Sequence, residues 1–184
     1  MSTAEPPPTD PHANIPRFSP AEEAALVAES HTLKGGANAL FTASDYDGAV
    51  AGYERALAAL PSYLDYEMAV LRSNIAACFL RLEEWKRAIE EADKGLEGLD
   101  ECEKEKVAKG EEDRRVVEIE PGEDEATVLS TLRALPSDED VLRIRTKLLL
   151  RRAKARTETG GWAALQGAQE GWFKDVEKVP EIDS

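Results

Sequence analysis

The chain has 184 residues, 42% of them hydrophobic, and its 37 acids against 23 lysines and arginines give a formal net charge of −14. That length holds one domain with a real core, with or without unstructured flanks. The charge argues against a nucleic-acid binder, which needs a basic face for phosphate, and no uncharged apolar run reaches membrane-spanning length.

The first 20 residues carry six prolines and little apolar periodicity, so 1–20 is expected to be a disordered tail. Met1 to Pro11 has neither a basic n-region nor an apolar core, and no signal peptide is expected. Ser19-Pro20-Ala-Glu-Glu then reads as a helix start, with Ser19 as N-cap, Pro20 at the first helical position and acids in the first turn. Beyond it Ala, Leu, Glu, Lys and Arg dominate and the text is helical almost throughout. Cys78 falls in an apolar helical pattern and Cys102 in a charged one, which predicts free thiols and a reducing compartment. Neither has a His or Cys at metal-ligand spacing, and His12 and His31 read as surface residues. No cofactor or metal is expected.

From Asp45 to Pro61, Tyr46 is followed by Ala49, Tyr53, Ala56 and Pro61, and from Glu84-Trp85 the chain repeats the pattern with Ala88, Ala92 and Gly95. Upstream of each stretch, Ala37 and Ala76 are small residues with large neighbours at Leu40 or Phe41 and at Phe79 or Leu80. Small residues let two antiparallel helices approach, and large ones fill the holes between stacked pairs. These positions resemble the second and first helices of tetratricopeptide repeats.

From Glu97 to Glu125 the chain is densely acidic, and the segment between Leu99 and about Asp138 carries Pro121-Gly122 and Pro136-Ser137. The first part is expected either to extend the preceding helix or to be disordered, and Asp124 to Leu135 has the apolar spacing of a short helix. The segment 100–137 thus reads as a solvated acidic insert between repeats one and two (21–99) and repeat three (138–180), with 181–184 as a tail. Repeat three is expected to comprise a first helix from Asp138 to Glu158, a Gly160-Gly161-Trp162 turn and a second helix from about Ala163 to Lys178. That last helix carries Leu165, Trp172, Phe173 and Val176, more apolar surface than one neighbour covers. The expectation is a truncated chain, self-association through this uncapped last repeat, or cover by the proline-rich tail.

Arg143 to Arg156 reverses the charge, with Arg143, Arg145, Lys147, Arg151, Arg152, Lys154 and Arg156 and no acid among them. Lys34 and Asn38 are four residues apart, as are Lys147 and Arg151, so each pair projects from one helix face. Asn74 lies mid-helix in Arg72-Ser-Asn-Ile-Ala-Ala, where asparagine is unfavourable without a reason. Leu33-Lys-Gly-Gly-Ala-Asn-Ala-Leu-Phe41 resembles the opening helix of tetratricopeptide-repeat co-chaperones with a dicarboxylate clamp. The resemblance covers roughly 22–100 and 138–180, and the acidic insert departs from it.

The resemblance implies an all-α fold of three repeats, antiparallel helix pairs stacked in a right-handed superhelix, with the insert between repeats two and three. It implies a clamp of Lys34, Asn38, Asn74, Lys147 and Arg151 on the concave surface, with Phe41 and Ala77 completing the peptide site. It also implies a partner: the Glu-Glu-Val-Asp tails of heat-shock proteins 70 and 90 in the cytosol of a eukaryote. The chemistry agrees, because a peptide ending in Asp presents two carboxylates to charge-assisted lysine and arginine donors and to neutral asparagine amides.

No nucleophile–base arrangement or metal cluster stands out, and Gly35-Gly36 and Gly160-Gly161 follow no strand, so an enzyme is not expected. Two rival readings use the same text. One is a repeat scaffold that binds another protein without the clamp. The other is a regulatory module whose acidic insert contacts basic partners such as ribosomal proteins.

Overall fold

The computed structural model describes residues 17–112 and 136–160. The described residues form five helices and no strand: α1 (Pro20–Thr42), α2 (Tyr46–Ala59), α3 (Asp65–Arg81), α4 (Trp85–Glu112) and α5 (Asp138–Glu158). The helices expected over 124–135 and 163–178, and the proline-rich stretch through residue 16, lie outside them.

Local chemistry sets the helix starts. The Glu22 amide donates to Ser19 Oγ at 3.4 Å and the Ser19 amide donates to the Glu22 carboxylate at 3.0 Å, a complete capping box with Pro20 in the first turn. Ser137 caps α5 in the same manner, accepting from the Asp140 amide at 3.1 Å, and Asp138, Glu139 and Asp140 place acid at the positive end of the helix dipole. Asp45 caps α2 through the Gly48 amide at 3.0 Å.

The turn after α1 and the turn after α3 share one geometry. Ser44 and Glu83, both non-glycine, take left-handed backbone with φ of 63° and 60°. Around them the Asp45 amide donates back to Leu40 O at 3.0 Å, and the Glu84 amide to Phe79 O at 2.9 Å. This is the six-to-one bond of a Schellman stop, and each position in the second turn is the first advanced by 39 (Ser44 to Glu83, Leu40 to Phe79, Asp45 to Glu84). The repetition read from sequence is therefore a repetition of backbone geometry.

Connections this short make successive helices antiparallel neighbours. Each helix packs on the next, and α3 also packs on α5. The result is an all-helical stack consistent with a helical-repeat fold. One apolar cluster joins Ala37, Ala49, Tyr53 and Ala56 to Leu71, Ile75 and Phe79, and a second joins Ala69, Leu96 and Leu99 to Val141, Ile144 and Leu148. Small residues set the closest approaches: a Cβ built on Gly52 would lie 2.8 Å from Ala37 Cβ, and one on Gly95 would lie 2.9 Å from Leu148 Cδ2. Buried Ser30 ties α1 to α2 by donating to Ala56 O at 2.9 Å.

Of the two alternatives for the start of the acidic stretch, the helix extension is the one found. α4 runs on to Glu112, Leu99 and Cys102 are buried, and Asp100 and Glu103 pair with Arg145 at 2.8 and 3.0 Å. Cys78 and Cys102 are both buried, and neither forms a disulfide. No helix among the described residues is long and apolar enough to cross a membrane.

The glycines give a stability test with opposite signs. Gly52→Ala should destabilise by about 1–3 kcal/mol, because the new methyl meets Ala37 main chain and Cβ, which cannot swing away. Gly36→Ala meets nothing within 4 Å and should stabilise by up to about 1 kcal/mol through helix propensity. Denaturant melts of both variants decide it; equal shifts would show that the α1–α2 crossing is not tightly packed.

Candidate peptide-binding site

The predicted site residues lie on the odd-numbered helices: Lys34, Asn38 and Phe41 on α1, Asn74 and Ala77 on α3, and Lys147 and Arg151 on α5. Among the described residues no side-chain hydrogen bond or ion pair joins two of them directly; the side-chain hydrogen bonds that two of them make run to residues outside the set. The Tyr53 hydroxyl, on α2, donates to Asn38 Oδ1 at 2.6 Å. That bond takes up the amide oxygen and leaves the two N–H donors of the exposed Asn38 facing outward. Across the stack, Arg151 Nη1 donates to both the main-chain oxygen and the hydroxyl of Ser73, the residue before Asn74.

Tyr53, Cys78 and Arg151 lie within electrostatic reach of one another. Burial pushes the Tyr53 phenol up and the Arg151 charge pulls it partly back. Burial also pushes the Cys78 thiol up to about 11, so it is an unreactive core thiol. Arg151 is held below its ordinary range by burial, and it still carries its charge at neutral pH.

α5 divides its bases between two faces. Arg145 pairs with Asp100 and Glu103, and Arg152 with Asp93 at 3.1 Å, all on α4, while Arg143 pairs with Asp140 on its own helix. The side chains of Lys147 and Lys154 have no hydrogen-bond or ion-pair partner among the described residues, and the Arg151 guanidinium donates only to the neutral Ser73. Lys34 and Asn74 are likewise without a hydrogen bond or ion pair among the described residues, although Lys34 is close enough to Glu67 to influence its charge. The arrangement leaves Lys147, Lys154 and Arg151 without a carboxylate partner among the described residues, on a helix that packs against α3, the helix of Asn74. Such a set can bind an anion. Among the described residues no group of three or more His, Cys, Asp or Glu could hold a metal ion.

Phe41 stands edge-on to Tyr46, with ring centroids 5.4 Å apart, and packs against the first apolar cluster. Ala77 is half-buried one turn after Asn74. Two contributors escaped the sequence reading. Tyr53 reads there as a packing aromatic, and its hydroxyl role depends on a partner 15 residues away on another helix. Ser73 is a buried serine in mid-helix, 1% exposed, which is a signal for a specific partner but does not identify Arg151.

Glu67, in the first turn of α3, supplies a pH test. Burial raises its carboxyl, with its own backbone amide and Lys34 acting the other way. A carboxyl raised on folding contributes stability below its ordinary value of 4.5, and loses it as pH rises through the raised value. Glu67→Gln should therefore be more stable than wild type at neutral pH, with the gap closing as pH falls toward 4.5. Denaturant melts at the two pH values check it; a less stable Gln variant at neutral pH would mean that attraction to Lys34 outweighs burial.

No protein-family model matches the chain. It is similar to sperm-associated antigen 1 of Mus musculus, 28% identical over 157 residues that make up 75% of this chain and 17% of that protein. It is also similar to the HSP-interacting protein of Zea mays, 34% identical over 80 residues, 42% of this chain and 11% of that protein. The chain thus spans less than a fifth of the length of these curated relatives.

Proposed function

We propose that this chain is a non-enzymatic tetratricopeptide-repeat adaptor that binds the acidic C-terminal tail of a heat-shock protein 70 or 90 chaperone. The observation that carries the reading is the split of α5. Its α4-facing bases are neutralised by acids, while Lys147 and Arg151 are not, and Arg151 is held against α3 beside Asn74. A dicarboxylate clamp needs such a set: cations without internal carboxylates, backed by amides that add no charge. The name of the maize relative, an HSP-interacting protein, supports a chaperone partner.

Three repeats carry the clamp in this reading, with repeats one and two over 21–99, the insert over 100–137 and repeat three over 138–180. Among clamp proteins the chain most resembles tetratricopeptide repeat protein 1, through Lys147-Leu-Leu-Leu-Arg-Arg-Ala153 and the lead-in from Tyr63 to Asn74. The terminal Asp of the tail places its two carboxylates among Lys34, Asn38, Asn74 and Lys147, and Arg151 holds the chain just upstream. Charge-assisted bonds of about 1.5–3 kcal/mol each, less the costs of association, give a micromolar Kd, about −8 kcal/mol. The setting is the cytosol.

Lys34→Ala and Lys147→Ala should each weaken binding of a Glu-Glu-Val-Asp peptide by about 1.5–3 kcal/mol, and amidating the peptide C-terminus should do at least as much. Lys147 is a cleaner test than Arg151, whose bonds to Ser73 also serve the fold. Calorimetry with unchanged affinity in both variants removes the clamp. Tyr53→Phe keeps the ring and frees the Asn38 amide to turn, so it should cost about 1 kcal/mol of affinity, with helical content by circular dichroism unchanged.

A further inference from the structure

One basic side chain on the stripe of α5 that carries Lys147 and Arg151 has no part in the clamp. Lys154 is exposed, and its side chain has no hydrogen-bond or ion-pair partner among the described residues. It follows Lys147 by seven positions and Arg151 by three, which puts all three on one helical stripe. Leu150 lies on the same stripe between them and is 53% exposed, more than Leu142 at 37%, whereas Val141, Ile144 and Leu148 of α5 are buried. The bases turned toward α4, Arg145 and Arg152, are occupied by Asp100, Glu103 and Asp93. Among the described residues the Lys154 side chain thus makes no ion pair, and Leu150 belongs to neither apolar cluster.

We infer that Lys154 recognises an acidic side chain three residues upstream of the terminal aspartate of the bound tail, with Leu150 covering an apolar residue between the two acids. This rests on the tail-binding reading and adds a sequence preference to it. The order of side chains along α5 carries it: cation at Lys147, apolar at Leu150, cations at Arg151 and Lys154. A helix rises about 1.5 Å per residue, so Lys147 and Lys154 are about 10.5 Å apart along the axis. An extended peptide advances about 3.3 Å per residue and covers that length in about three residues. Leu150, about 4.5 Å along the axis from Lys147, then lies opposite the residue just before the terminal Asp. A peptide lying along α5 is therefore read as acid, any residue, apolar residue, terminal Asp.

The test is a double-mutant cycle by calorimetry at low salt, where exposed charge pairs are least screened. Four complexes are compared: wild type and Lys154→Ala, each with a Glu-Glu-Val-Asp peptide and with its Gln-Glu-Val-Asp counterpart. Each single change should weaken binding about two- to fivefold, as for an exposed ion pair, and the second change should add little once the first is made. Wild type and Lys154→Ala discriminating equally between the two peptides would overturn the inference. Lys34→Ala and the amidated peptide are measured alongside. If they bind like their unmodified counterparts, the tail-binding reading itself falls. If they lose affinity while the cycle shows no coupling, only the role of Lys154 falls.

Discussion

The docking of α5 on α4 is the contact on which the candidate site depends. Leu148, fully buried, fills a notch that exists because Gly95 has no side chain, and Arg145 and Arg152 reach acids of α4 on either side of it. Together these contacts fix the rotation of α5 about its own axis. Once Arg145 and Arg152 face α4, helical periodicity turns Lys147, Arg151 and Lys154 to another stripe. Half-buried ion pairs of this kind add little net stability, because desolvation offsets attraction, but they penalise a wrong rotation heavily. Arg145, with a side chain 12% exposed, would be left buried and unpaired by any other setting of the helix.

The same contact explains how a chain with a net charge of −14 keeps bases on α5 that no carboxylate of the described residues meets. Much of the acid lies where it meets base: Asp93, Asp100 and Glu103 are on the α5-facing side of α4, and Glu91 holds Arg72 and Lys94 on the α3 side. The bases left over are few and gathered. Net charge governs the long-range field, whereas a bound carboxylate responds to the uncompensated charges within a few ångströms of it.

The polar residues of the site are set by the core rather than by their own helices. Tyr53 is 2% exposed and rooted in the apolar cluster, yet its hydroxyl orients the Asn38 amide on the neighbouring helix. Ser73 is as deeply buried and holds Arg151 from a helix 78 residues further along the chain. Fixing a long, rotamer-rich arginine in advance reduces the entropy lost when a ligand binds. The close α1–α2 crossing at Ala37 and Gly52 keeps the Tyr53 hydroxyl within reach of Asn38.

Local chemistry was legible in the sequence. Ser19-Pro20 marks a helix start because a serine hydroxyl satisfies amides of the first turn whatever lies beyond, and α1 and α5 both begin where the text places them, α5 with a Ser137 cap that the structure adds. The repeat was legible too, since close crossings need small residues at fixed offsets, and Ala37, Ala76, Ala49 and Ala88 are all buried. For the start of the acidic stretch the sequence left two outcomes open, because dense like charge disfavours an isolated helix and solvates a chain equally well. Tertiary structure decided it: Arg145 offsets Asp100 and Glu103, and burial of Leu99 and Cys102 favours continuing α4. Sequence alone could pair Lys147 with Arg151 by their spacing, but it could not separate them from Arg145 and Arg152, since residue type and charge are alike across the run. Only the packing of α5 determines which guanidinium or ammonium group meets a carboxylate of the fold and which remains for a ligand.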